Sequence, residues 1–177
     1  IDTENGDVVF YMAHSQDRLV IVASTNGRYH VYGLSTERGE QVWEQQVDWP
    51  EGKGDHGKAM SRPAIVGGGV YVRPGAFALS DGKPLPHTVP LGGCGTYACT
   101  ANTLVFRSGT LTLWNRATGT VSGWPRLRPD CWLSTIPAAG MLLSPEGGGG
   151  CSCGSWLETS IGFMPRETPR EQKNEQG

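Results

Sequence analysis

Apolar and polar residues alternate in short runs along this chain, with turn signals breaking them about every eight to twelve residues. Val8–Ala13 is the longest uninterrupted apolar run and reads as a buried strand. A turn at Ser15-Gln-Asp17 leads into a second strand, Arg18–Ala23, rich in the β-branched residues that suit a pleated sheet. Asn26-Gly27 is a hairpin signal, because a type I′ turn requires positive φ at both central positions. Tyr29–Leu34, a polar turn containing Gly39, and Gln41–Val47 complete four consecutive antiparallel strands.

The pattern then repeats with decreasing regularity. Asp48–Lys58 is a polar, glycine-rich connection longer than a hairpin requires, and such loops on rigid scaffolds often carry function. Four further strands are predicted at Ser61–Val66, Val70–Arg73, Ala76–Leu79 and Lys83–Val89. Pro84, Pro86 and Pro90 fall in or just after the last of them, which makes it an edge, since proline donates no ladder hydrogen bond. A third set is predicted at Thr96–Thr100, Thr103–Arg107, Leu111–Trp114 and Thr120–Gly123. A fourth has three candidates, Ser134–Ala138, Gly140–Ser144 and Trp156–Met164, with the Gly147–Gly150 run between the last two. No amphipathic helix stands out. Residues 1–165 are thus expected to form one all-β unit of about three and a half four-stranded blades. Arg166–Gly177 has no apolar residue except Pro169 and reads as a disordered tail.

One unit recurs: Leu34-Ser-Thr-Glu-Arg-Gly-Glu-Gln-Val-Trp43, then Leu79-Ser-Asp-Gly-Lys-Pro-Leu85, then Leu113-Trp-Asn-Arg-Ala-Thr-Gly-Thr-Val121. Its turn glycines, Gly39, Gly82 and Gly119, are 43 and 37 residues apart, about the length of one four-stranded propeller blade. This strand–turn–Gly–strand–Trp unit resembles the repeat of pyrroloquinoline-quinone-type (PQQ-like) β-propellers, roughly Ala-x-Asp-x-x-Thr-Gly-Lys-x-x-Trp. Residues 34–43 match its length, glycine and tryptophan, with Ser35 where the family often has Asp. The second copy lacks the tryptophan, and the third keeps Ala117-Thr-Gly119 without a terminal Trp. Pro63-Ala-Ile-Val-Gly-Gly-Gly-Val-Tyr-Val72 is similar to the inner strand pair of such a blade. The resemblance covers most of residues 8–164 and implies the C-terminal part of a β-propeller. It gives Trp43 the role of docking on the neighbouring blade.

The family includes scaffold propellers and quinone-dependent dehydrogenases. The dehydrogenases carry an adjacent cysteine pair and acidic Ca²⁺ ligands, whereas the nearest pair here is Cys151-Ser-Cys153. The resemblance therefore implies, first, a non-catalytic extracytoplasmic binding or scaffold module. The alternatives are part of a quinone-dependent oxidoreductase whose cofactor site lies mostly in other blades, and a carbohydrate-handling propeller. No cofactor is assigned. The expected partners are further blades of the same polypeptide or a second protomer, and beyond these a protein partner.

Composition narrows this further. The net charge is -2 in 177 residues, and no basic run is present, which argues against a phosphate-backbone binder. No apolar run approaches the roughly 20 residues of a membrane-spanning helix. Ile1 reads as a processing boundary. All five cysteines (Cys94, Cys99, Cys131, Cys151 and Cys153) lie in the second half, which fits an oxidising, periplasmic or secreted setting. Structural disulfides, buried thiols and a thiolate metal site all remain open for them. The zinc-type Cys-x2-Cys spacing is missing, and a bond from Cys131 to Cys151 or Cys153 is the preferred pairing. Asp55-His56-Gly57-Lys58, Arg62 and Arg73 are the candidate ligand-binding group, the histidine as a base and the arginines as anion partners. A solvated loop with structural arginines is the plainer alternative. The six tryptophans are read as packing between blades rather than as sugar-stacking surfaces.

Overall fold

The computed structural model describes residues 6, 8–25, 27–49, 62–91, 96–125, 127, 135–145 and 160–165. Among them there are strands and turns but no helix. The first sheet contains β1 (Val8–Ser15), β2 (Arg18–Thr25), β3 (Arg28–Ser35) and β4 (Gln41–Asp48), antiparallel and in that order. The second contains β5 (Ala64–Val66), β6 (Gly69–Val72) and β7 (Gly75–Ala78). The third contains β8 (Ala98–Cys99), β9 (Thr103–Ser108), β10 (Thr110–Asn115) and β11 (Val121–Trp124), and the fourth β12 (Ile136–Ala138), β13 (Met141–Ser144) and β14 (Ile161–Phe163). Each sheet's first strand lies beside that of the next, β1 by β5, β5 by β8, and β8 by β12. Four meanders therefore fan out around their innermost strands, as the blades of a propeller do.

The turn that closes each strand pair is the same in three sheets. The N–H groups of Gly39, Gly82 and Gly119 donate to the carbonyls of Ser35, Ala78 and Asn115 at 2.8, 2.9 and 2.9 Å. The N–H groups of Ser35, Ala78 and Asn115 donate in turn across to Glu40, Lys83 and Thr120. The N–H of the following residue (Thr36, Leu79 or Arg116) reaches the preceding hairpin at Asp17, Gly68 or Asn102. The three glycines have φ of +68°, +72° and +71°, a left-handed conformation that a β-carbon disfavours. The recurring glycine of the sequence is thus explained by backbone geometry.

Packing between the sheets follows the period-2 alternation of the strands. Val20, Val22 and Val31 of the first sheet meet Val70, Val72, Phe77 and Leu79 of the second. Tyr71 and Ala76, on the second sheet's other face, meet Leu104, Phe106 and Trp114 of the third. Val105, Leu111 and Leu113 then meet Leu142 and Phe163 of the fourth. The core is therefore a row of three inter-sheet layers, with a further buried group, Ile21, Ala23 and Tyr32, on the first sheet's other face.

Two strand expectations change. Lys83–Val89 forms no ladder: one isolated bridge joins Phe77 and Pro84, flanked by bonds from Ala78 to the Lys83 carbonyl and from Leu85 to the Ala76 carbonyl. Proline's missing N–H stops the pairing there. The stretch read as Trp156–Met164 has its strand at Ile161–Phe163, and residues 156–159 lie outside the described residues, as does the expected tail from Arg166 to Gly177.

Candidate functional site

The candidate arginines sit on either side of the second sheet. Arg62 precedes β5 and is exposed, with its guanidinium carbon 5.0 Å from the centroid of the Tyr11 ring on β1. Arg73 immediately follows β6 and is only 5% exposed, its guanidinium carbon 5.0 Å from the Tyr97 ring and 5.3 Å from the Phe106 ring of the third sheet. Its backbone N–H donates to the Tyr97 hydroxyl at 2.7 Å. A cation buried over two aromatic faces gains about 2 kcal/mol or more from each well-placed, desolvated ring. Arg73 therefore ties the second sheet to the third, and Arg62 keeps a solvent-facing cationic head. The two point to opposite neighbours and do not form a common pocket. His56 lies outside the described residues.

Arg107, on β9, is buried at the place that Arg73 occupies just after β6. Val70 pairs with Phe77 and Leu104 with Trp114, and both partners stand five residues before a turn glycine. The signal was present in the sequence as Val70-Tyr-Val-Arg73 against Leu104-Val-Phe-Arg107.

Trp43 and Arg116 make the most specific inter-sheet contacts. The Trp43 indole N–H donates to the Leu79 carbonyl at 2.9 Å, with the ring 6% exposed. A β-carbon at Gly82 would come within 2.8 Å of that ring, and one at Gly33 would overlap it. Trp49, by contrast, is half-buried and tilts against Tyr29 with ring centroids 6.0 Å apart. Between the second and third sheets the place of the indole is taken by His87: a β-carbon at Gly119 would lie 2.8 Å from its Nδ1. Arg116, on the third turn, reaches back to donate to the Tyr71 hydroxyl at 2.7 Å, to the Val66 carbonyl at 3.2 Å and to the Ala101 carbonyl. Neither His87 nor Arg116 was singled out from sequence. His87 stands five residues after its glycine rather than four, so a fixed-spacing motif passes over it.

An apolar cleft of about 680 Å³ separates the third and fourth sheets. Val105, Leu113, Trp124, Met141, Leu142 and Phe163 line it, and the thiol of Cys99 borders it. Trp124 meets Phe163 edge to face, with centroids 4.8 Å apart. Cys99 is a free cysteine on the exposed side of β8. Packing around its sulfur pushes the thiol above its ordinary pKa of 9.0, while the charge of Arg116 works against that shift. Cys94, Cys131, Cys151 and Cys153 lie outside the described residues. Among the described residues no group of three or more His, Cys, Asp or Glu side chains could hold a metal ion, and no helix is long and apolar enough to cross a membrane.

The radial row of meanders invites comparison with solved structures. The chain is similar to BamB from Moraxella catarrhalis, a β-propeller outer-membrane assembly lipoprotein, at 16% identity and a TM-score of 0.56. The match covers 86% of this chain and 49% of that one. The fold is that of propeller blades. A second similar structure is the computationally designed Ika4 protein, at 14% identity and a TM-score of 0.54, over 90% of this chain and 92% of the other. The chain thus spans about half the length of the BamB structure it matches, and at these identities the fold is what is shared. No family model matches the sequence, and no curated protein matches it.

Proposed function

We propose that this chain is part of a non-catalytic, extracytoplasmic propeller that acts as a binding or scaffold module. In this reading its blades are PQQ-like, and its ring is completed by further blades of the same polypeptide or by a second protomer. The supporting observation is apolar surface on the face of the fourth sheet that looks away from the third. On the fourth sheet Ile136 and Leu143 pair with each other, away from Leu142 and Phe163, and are 55% and 37% exposed. On the first sheet the side away from the second holds a buried group, Ile21, Ala23 and Tyr32, with Met12 at its margin 65% exposed. A cross-strand pair of exposed apolar side chains such as Ile136 and Leu143 fits an interface. Likeness to an assembly lipoprotein and five clustered cysteines are consistent with an extracytoplasmic setting. Arg62, solvent-facing beside the inner strands, together with His56, is the proposed ligand contact, and Arg73 acts in this reading as a packing residue.

Sedimentation of the isolated 177 residues tests the module's incompleteness. Dimers or larger species are expected. A compact monomer with cooperative unfolding would contradict it.

A further inference from the structure

We propose that the apolar cleft between the third and fourth sheets binds a flat, uncharged ring compound held between the two sheet faces. The third sheet contributes Val105 and Leu113, paired across β9 and β10, and the fourth contributes Leu142 and Phe163, paired across β13 and β14. About 680 Å³ stays open between them, within the range of roughly 300–1,000 Å³ that small-molecule sites occupy. Facing sheets ordinarily mesh their side chains and leave few voids larger than a water molecule. An opening of this size between two such faces is a slot with a sheet for each wall.

The slot differs from the two interfaces before it. There, Trp43 and His87 lie against the turn glycines Gly82 and Gly119. Trp124 stands five residues after Gly119, as His87 stands five after Gly82. Its side chain is nevertheless exposed, lines the cleft, and meets Phe163 edge to face at 4.8 Å. The third interface thus keeps an aromatic pair beside open space where the first two hold a ring against backbone.

The lining selects the class of occupant. Among the described residues that border the cleft none is Asp, Glu, Lys, Arg or His, so a charged group placed there would lose its hydration without gaining a partner. Polar side chains are confined to Cys99, Thr100 and Thr103, and the Thr100 hydroxyl already accepts from the Thr103 N–H at 3.1 Å. Apolar cavities stay dry and take up uncharged apolar ligands. A rigid ring system has less conformational freedom to lose on entering a slot than a flexible chain has. Its faces and edges also suit the Trp124 and Phe163 rings. The site is separate from Arg62, which lies against Tyr11 of the first sheet, and it does not depend on how the row of blades is completed.

The test is a titration of the full chain, methyl-labelled at leucine and methionine, with aminoanthracene, a flat uncharged probe that fluoresces more strongly in apolar surroundings. Saturable binding at one site is expected. The methyl signals of Leu113 and Leu142 should shift, while those of the exposed Leu143 and Met12 stay in place. Thr103 lies two residues before Val105 on the same side of β9, so Thr103→Trp puts a ring into the slot. That variant should bind the probe at least about tenfold more weakly, and Thr103→Val should bind it as the parent does. Naphthol should displace the probe, and naphthoate (the same ring with a charge) and decanol (a flexible chain) should each do so at least about tenfold less well. The proposal is overturned by uptake that does not saturate, by shifts at Leu143 or Met12 instead, or by undiminished binding to a folded Thr103→Trp variant. It is equally overturned if naphthoate or decanol competes as well as naphthol. Should Thr103→Trp fail to fold, the methyl shifts and the competition on the parent chain decide.

Discussion

Trp43 is a buried anchor of the contact between the first two sheets, and its value lies in the match of three features. Gly33 opposite it leaves room for the ring, Gly82 lets the ring approach backbone, and Leu79 accepts its N–H. Trp43→Ala removes a buried ring and leaves a cavity beside Gly33, Leu79 and Gly82, a class of change that costs about 3–5 kcal/mol. Urea unfolding should show that loss, and an unchanged midpoint would remove the docking role. Cys99 makes a second prediction at this scale. Its raised thiol pKa means that the protonated form persists to higher pH than in a free cysteine. Alkylation at this residue, followed by site-resolved mass spectrometry, should therefore rise with a midpoint above pH 9.0. Arg116→Gln removes the nearby positive charge that favours the thiolate, and should move that midpoint higher still. A midpoint at or below that of an unstructured cysteine would contradict the desolvation of its sulfur.

At the scale of the turn, the repeated unit separates two reasons for a glycine. Gly39 and Gly82 share a left-handed φ, but only Gly82 is covered by a ring. Gly39→Ala should cost about 1–2 kcal/mol from conformation alone. Gly82→Ala carries the same strain and in addition overpacks against Trp43, a further cost of about 1–3 kcal/mol. Equal losses for the two variants in chemical denaturation would show that the seat at Gly82 is soft. The strands themselves were legible to within about two residues wherever β-branched or alternating runs stood between clear turn signals, as in β2, β3 and β4. The fourth strand of the second sheet was not. Pro84 and Pro86 were read as marks of an edge, yet between them they leave too few N–H groups for any ladder, and the segment keeps only the Phe77–Pro84 bridge. The inter-sheet contacts were partly legible. Trp43 was visible because it keeps the motif's spacing, whereas His87 and Arg116 act through a ring position shifted by one residue and a long side chain folded back onto an earlier sheet. Neither arrangement leaves a periodic trace in sequence.

Over the whole molecule, the row of sheets has direction. Each described contact layer pairs one sheet's forward face with the next sheet's backward face, so the forward face of the fourth sheet is the one that a following blade would cover. Leu143 stands two residues along β13 from Met141 and pairs with Ile136, while the intervening Leu142 turns to the third sheet. Its counterparts further up the row, counted from the preceding hairpin turn, are Val20, Tyr71 and Val105, all buried. Leu143 is thus a core-type residue left at the surface, and such apolar surface drives association. Replacing Ile136 and Leu143 together by lysine should leave the melting temperature nearly unchanged, since both side chains are already exposed and surface changes usually fall within about 0.5 kcal/mol. The same pair should shift the sedimentation profile toward monomer. If the double variant unfolds early, these residues pack inward and the fourth sheet has no free forward face. If it is stable and associates as before, the association surface lies on the first sheet around Met12 and Val9, where lysine substitutions would then abolish it.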